Sequence, residues 1–253
     1  MVGDAVGRTG RQALVALLPG LRREFDVDLV IANGENAAAG RGITPTVAEE
    51  FFRCGVDVIT TGNHVWDQKD IIPYLDSGAP IVRPLNFPPG VPGRGVLQVN
   101  GVTVINLQGR VFMVDIDCPF RIADGALADV PEGSIVIVDM HAEATSEKIA
   151  MGWYLDGRVS AVLGTHTHVG TVDTRILPRG TAFVCDVGMT GARDSVIGDN
   201  VDGVLQRFLT AMHVRLQPAA GPAILNSVLV DIEDETGRAR RIERVDREIS
   251  DEQ

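Results

Sequence analysis

Residues 161–170 read AVLGTHTHVG. An apolar run ends in two histidines two positions apart, in a chain that has only five histidines. In extended backbone, residues i and i+2 point to one face. The spacing therefore predicts that His166 and His168 project together from a strand end, with Thr167 turned away. Polar residues at strand ends are what an open α/β sheet gathers at its site edge. The stretch thus predicts a fold class and a site at once.

Three more β-branched runs end in the same way: VDLVIAN (27–33), VDVITTG (56–62) and SIVIVDM (134–140). Between such runs lie helix-like segments. PTVAEEFFRCG (45–55) starts on Pro45 and stops at Gly55, the expected punctuation of a helix. TSEKIAMGWYLDG (145–157) reads likewise, with Thr145 or Ser146 as the cap and Gly157 as the stop. Strands alternating with helices predict layered α/β architecture with mainly parallel central strands. GVLQVNGVTVINLQG (95–109) adds a hairpin turning at Asn100-Gly101, a strong short-range hairpin signal. A second hairpin is expected in 224–246, turning through Glu235-Thr236-Gly237. The sheets are therefore mixed. The last residues, REISDEQ, read as a frayed tail. No repeat or low-complexity tract divides the 253 residues, which read as one domain, 1–253.

Composition narrows the function classes. The net charge is −11 and the arginines are scattered, so binding to long nucleic acid is not expected. No apolar run approaches the roughly 20 residues of a membrane span, and no secretory signal pattern opens the chain. Cys54, Cys118 and Cys185 are odd in number and far apart. They read as small hydrophobes in a reducing compartment, which predicts a cytoplasmic protein. Hydrophobic residues make up 45% and aromatic residues 5%, so the core is expected to be aliphatic.

Chemistry-bearing residues crowd the strand ends. Glu35 and Asn36 follow the first run, Asn63 and His64 the second, His141 the third, and His166 and His168 the fourth; Asp4 lies near the start. Each alone has an ordinary structural explanation; five such groups arriving together do not. The set is nitrogen and oxygen without thiolate, which suits Mn, Fe, Zn, Ni or Co. Seven candidate ligands (Asp4, Glu35, Asn36, Asn63, His141, His166, His168) exceed one tetrahedral zinc. They suffice for two metals sharing a carboxylate, an arrangement that supports in-line phosphoryl displacement. His213 lies outside the pattern and reads as structural or surface. GRTG (7–10) lacks the spacing of a phosphate-binding loop. Arg110 follows another strand end and is a candidate phosphate contact. Trp66 and Asp67 read as packing at a helix start, and Asp186 has no assigned role.

In order and spacing, GD (3–4), NGEN (33–36), GNHVWD (62–67), DMHAEATSEK (139–148), GTHTHV (164–169) and DVGMTG (186–191) resemble the calcineurin-like metallophosphoesterases. Within them they look most like the YmdB branch, bacterial 2′,3′-cyclic-nucleotide phosphodiesterases. The resemblance runs from Gly3 to at least 195–198. The wider superfamily usually has a histidine where this chain has Val6; here the bridging carboxylate is Glu35.

The resemblance implies a four-layer α/β/β/α sandwich of two mixed sheets. It implies that Asp4, Asn36 and His168 hold one metal, and that Asn63, His141 and His166 hold a second. Glu35 would bridge and His64 would be the general acid. It also implies two ions, iron or manganese, and a homo-oligomer. The expected reaction is hydrolysis of a small cyclic nucleotide to a nucleoside monophosphate by a hydroxide generated between the metals. A phosphomonoesterase or phosphoprotein phosphatase on the same site, and a non-catalytic metal-binding regulator linked to RNA decay, remain open alternatives. In such a fold Asp4 ends a central strand of about five or six residues. Only Met1, Val2 and Gly3 precede it here, so a truncated first strand is expected, either with its remainder encoded upstream or as a real truncation that holds Asp4 loosely.

Overall fold

Side chains alternate between two apolar environments along nearly every central strand, and this alternation organises the molecule. The computed structural model describes residues 1–249. The chain begins with β1 (Asp4–Ala5), α1 (Gly7–Glu24), β2 (Ile31–Asn33), α2 (Pro45–Cys54), β3 (Val58–Thr60), α3 (Ile71–Leu75) and β4 (Ile81–Val82). It continues with β5 (Val96–Val99), β6 (Val102–Gln108), α4 (Pro119–Leu127), β7 (Ile135–His141), α5 (Thr145–Leu155) and β8 (Ala161–Thr165). Next come β9 (Arg175–Ile176), β10 (Ala182–Val184), β11 (Met189–Ala192) and α6 (Val201–Thr210). It closes with β12 (Ala223–Leu225), β13 (Val228–Ile232), β14 (Ala239–Arg244) and β15 (Arg247–Ile249).

The result is a mixed α/β fold with several sheets. Six strands run in the order β5-β6-β7-β8-β10-β9, with β6, β7, β8 and β10 parallel. β2-β3-β4 form a parallel group, β1-β11-β12-β15 a mixed one, and β13-β14 a hairpin. Val2 bridges to Ala32 in parallel and to Ser227 antiparallel, tying the groups of β1 and β2 together. The first strand is short and pairs with β11 alone, while Val2 just before it reaches the strand on the other side. Val2 N donates to Ile31 O, Asp4 N to Gly188 O and Val6 N to Thr190 O. Beside Met1 lies a cavity of about 1080 Å³ lined by Ile31, Val102, Ile137, Leu163 and Val228.

Three apolar clusters follow from the period of two. Ala32, Ile59 and Ile81 face Leu14 of α1, Phe51 of α2 and Ile71 of α3. Their strand neighbours Ile31, Val58 and Val82 face Val104, Ile137 and Leu163 of the six-stranded sheet. On that sheet's other side, Ile105, Val138 and Val162 pack with Ala123 of α4 and Met151 and Leu155 of α5. Strands covered on both faces explain why the sequence shows continuous apolar runs rather than a polar alternation.

The local punctuation of the sequence matches the structure at α2, where Thr44 Oγ1 accepts from Val47 N and Gly55 closes the helix at φ 107°. The turn Asn100-Gly101 has φ of 49° and 80°, the left-handed pair that such hairpins require. Two expectations fail. At α5 the cap position is Ala144, with no side-chain cap bond, because Thr145 is already inside the helix. Arg247–Ile249 of the expected frayed tail pair antiparallel with β12; residues 250–253 lie outside the described residues. No described helix is long and apolar enough to cross a membrane.

Phe51 is fully buried at the centre of the first cluster. Phe51→Ala is expected to lower unfolding free energy by about 3–5 kcal/mol, read as a lower urea midpoint with unchanged slope.

Candidate metal centre

Parallel register brings the donors together. His141 lies opposite Gln108 and Thr165, so β6, β7 and β8 end at one level. Asn33 lies opposite Thr60, which sends the loops with Glu35, Asn36, Asn63 and His64 out at the same edge. Gly62 makes the close approach possible. A Cβ there would collide with His141 Nε2 and Glu35 Oε2.

Glu35, His141 and His166 offer donor atoms that all lie within 4.8 Å of one another. His141 Nε2 is 3.0 Å from Glu35 Oε1, 3.1 Å from Asn63 Oδ1 and 3.0 Å from His166 Nδ1. Asp4 Oδ1 lies 3.9 Å from His168 Nε2 and 4.0 Å from His141 Nδ1. Asn36 Nδ2 donates to Gly40 O at 3.1 Å, which fixes the amide and leaves its oxygen for the site. All seven expected ligands thus lie at the common edge.

The outward nitrogens set the tautomers. His168 Nδ1 lies 2.7 Å from Ile197 O, a carbonyl that can only accept, so Nδ1 carries the hydrogen and Nε2 the lone pair. Thr165 Oγ1 donates to Asp139 Oδ1 at 2.7 Å and accepts from His141 Nδ1 at 2.8 Å. His141 Nε2 is then the basic nitrogen. Glu143 Oε2 lies 3.1 Å from His166 Nε2, leaving Nδ1 as the inward donor. Carboxylate, hydroxyl and carbonyl groups behind the ring are the usual means of orienting a ligating histidine.

The donors fit a cation. Asp4 Oδ1, Glu35 Oε1 and Asn36 Oδ1 are buried without a hydrogen-bond partner, a costly state for each oxygen. The inward lone pairs of His141 and His166 face each other at 3.0 Å, which a shared cation converts from repulsion to ligation. Burial pushes His141 down to about 4, so the ring is neutral at pH 7, as ligation requires. Burial, and then the charges of Asp186, Glu35 and Asp139, hold Asp4 well above the usual carboxylate range. Positive charge is what this pocket lacks.

One expectation about the opening stretch is overturned. His166 and His168 are not extended; their φ angles are 100° and 66°. β8 ends at Thr165, and the histidines reach the site through a strained turn rather than through strand alternation. His64 stands apart from the ligands. Its backbone N donates to Glu35 Oε2 at 3.1 Å, while Nδ1 lies 2.9 Å from Asp67 Oδ2 and the side chain is partly exposed. Asp67, read from sequence as packing, is therefore the partner of His64; Trp66 does pack, edge-on to Phe87. Arg110 is exposed, and its backbone N is held by the Glu147 carboxylate. His213 is exposed and outside the site. Asp139, Thr165 and Glu143 escape a reading of the sequence, because nothing local marks a residue that supports another.

Gly62→Ala is expected to abolish manganese binding in equilibrium dialysis while leaving the circular dichroism spectrum unchanged. A second expectation concerns Asp4. Its folded pKa is raised, so its contribution to metal-free stability is complete below about pH 4 and is lost as pH rises. Metal-free Asp4→Asn should therefore gain on the wild-type chain in urea midpoint between pH 4 and pH 8.

Comparison with known proteins finds relatives along almost the whole chain. The model of the YmdB-like protein family matches residues 1–245. The 2′,3′-cyclic-nucleotide 2′-phosphodiesterase of Bacillus subtilis (strain 168) is 47% identical over 96% of this chain and 94% of its own. A crystal structure of a hypothetical protein from Thermus thermophilus superposes with a TM-score of 0.92, at 44% identity, over 98% of this chain and 97% of that one. A novel phosphatase from Mycoplasma pneumoniae gives 0.93 at 32% identity, over 99% and 93%. With the family pattern matched across nearly its whole length, the chain belongs to the YmdB-like family.

Proposed function

We propose that this protein is a metal-dependent phosphodiesterase that hydrolyses 2′,3′-cyclic nucleotides to nucleoside monophosphates. The observation that carries the reading is the set of three unpartnered buried oxygens facing three histidines whose lone pairs point inward. The name of the Bacillus subtilis relative supplies the substrate class. Asp4, Asn36 and His168 would hold one ion, Asn63, His141 and His166 a second, with Glu35 between them. When bound, such a pair lowers the pKa of water to give a nucleophile near neutral pH and takes up charge on phosphoryl oxygens.

The chain's own residues do the rest. Thr165, Glu143 and the Ile197 carbonyl keep the rings turned inward, so ligand geometry is set before substrate arrives. His64 stands at the exposed side. Asp67 holds its Nδ1 and so orients the ring, leaving Nε2 to give a proton to the departing ribose oxygen. Water adds to phosphorus, the strained ring opens at one ester, and that oxygen leaves as a hydroxyl.

The reading extends to one domain over residues 1–253 in a four-layer α/β/β/α sandwich, supported by the three separate apolar clusters. Iron or manganese suits the mixed nitrogen and oxygen donors. Free, buried Cys54 and Cys185 support a cytoplasmic setting. The exposed apolar side of α6, with Phe208 and Leu209, supports a homo-oligomer.

Loaded with manganese or iron, the chain is expected to hydrolyse 2′,3′-cyclic AMP. His64→Ala should lower kcat by about 10²–10⁴-fold with KM little changed. Hydrolysis of p-nitrophenyl phosphate without the cyclic diester would favour a phosphomonoesterase instead. A loaded chain that cleaves no phosphodiester ends the proposal.

A further inference from the structure

The turn that carries His166 and His168 is the least comfortable backbone near the site. Both residues have positive φ, a region that is unfavourable for non-glycine residues and persists only when the surroundings impose it. Packed against it is a pair of opposite charges. Lys148 and Asp186 are both buried, with Nζ 2.6 Å from Oδ2. Lys148 comes from α5, and Asp186 follows β10.

The other side-chain bonds of this pair go to the turn and to Gly188. Lys148 Nζ also donates to Thr165 O at 2.9 Å, the last carbonyl of β8. Asp186 Oδ2 accepts from Thr167 N at 3.1 Å and from Thr167 Oγ1 at 2.7 Å. Asp186 Oδ1 accepts from Gly188 N at 2.8 Å, and Gly188 O accepts from Asp4 N. Thr167, the residue between the two histidines, is thus held by its backbone and its side chain at once. Gly164 lets the Cys185 backbone approach, where a Cβ would collide with Cys185 O, and also leaves room for the Lys148 stem.

A buried ion pair is a poor way to gain stability, because desolvation offsets most of the attraction. Its directional bonds are what apolar packing would lack. We propose that the Lys148–Asp186 pair is a positioning element for the metal centre. It fixes the turn 165–168 so that His166 and His168 face the donors Glu35 and Asp4, and through Gly188 it also aligns Asp4. It thereby sets the affinity of the site for its ions. This rests on the reading of His166 and His168 as ligands.

The test is manganese affinity and stoichiometry, by equilibrium dialysis with elemental analysis, on the full chain and on Asp186→Asn, Lys148→Met, Thr167→Ala and Thr167→Ser. Melting of each metal-free protein is measured alongside. Asp186→Asn and Lys148→Met should bind manganese about tenfold or more weakly, the range seen when support behind a ligand is lost. Thr167→Ala should also weaken binding, and Thr167→Ser, which keeps the hydroxyl, should restore it. A purely structural pair would lower the melting temperature and leave the affinity of folded protein unchanged. Wild-type affinity in folded Asp186→Asn and Lys148→Met overturns the proposal. If those two do not fold, wild-type affinity in Thr167→Ala overturns it. A wild-type chain that binds neither manganese nor iron would instead refute the ligand reading itself.

Discussion

Four carboxylates, those of Asp4, Glu35, Asp139 and Asp186, are buried together, and the other three raise the cost of charging Asp4. Like charges in a poorly solvated interior cannot all ionise without compensation. The surrounding structure answers this constraint group by group. Lys148 meets Asp186. Hydrogen bonds from Thr165 and Asn33 meet Asp139. Asp4 and Glu35 keep oxygens with no hydrogen-bond partner, and these two face the histidine nitrogens. Dications at that place would neutralise the charge that the fold has concentrated there.

The fold serves this concentration through strand register as well as through the turn at 165–168. β6, β7 and β8 are parallel and end together, so His141 and Thr165 stand side by side with their hydrogen bond already formed. The loops after β2 and β3 approach the same edge, and Gly62 removes the side chain that would keep them apart. The inward donors are therefore held from behind by Thr165, Glu143, Ile197 and Gly40. A site oriented in this way has little reorganisation left to do when an ion or a substrate arrives.

Much of this is legible in the sequence. Runs such as SIVIVDM and AVLGT show strands buried on both faces, and the polar residues after them mark the site edge. All seven donors can be found there because each sits within a few residues of a strand end. The opening motif brings its two histidines beside Glu35 and Asp4, but not through the extended backbone expected of it. THTH points to two candidate ligands, but the alternation of extended chain is not what aims them. Their direction comes from Asp186, distant in sequence and inconspicuous in its own segment. Asp67 misleads for a related reason, since an acid three residues after a histidine is equally consistent with a helix start.

The sequence by itself determined the mixed α/β class and which residues gather at the strand ends as candidate donors, because side-chain period and strand termini are local properties of the chain. Only the tertiary structure decided which nitrogen of each histidine points inward, how the turn at 165–168 is held, and that His64 pairs with Asp67 outside the ligand cluster. Most of those features depend on hydrogen bonds between residues far apart in the chain, such as His141 with Thr165 and Lys148 with Asp186. The His64–Asp67 bond is local, but its place beside the site is set by the sheets. Burial makes such bonds decisive: a polar group removed from water takes whichever partner the packing brings to it.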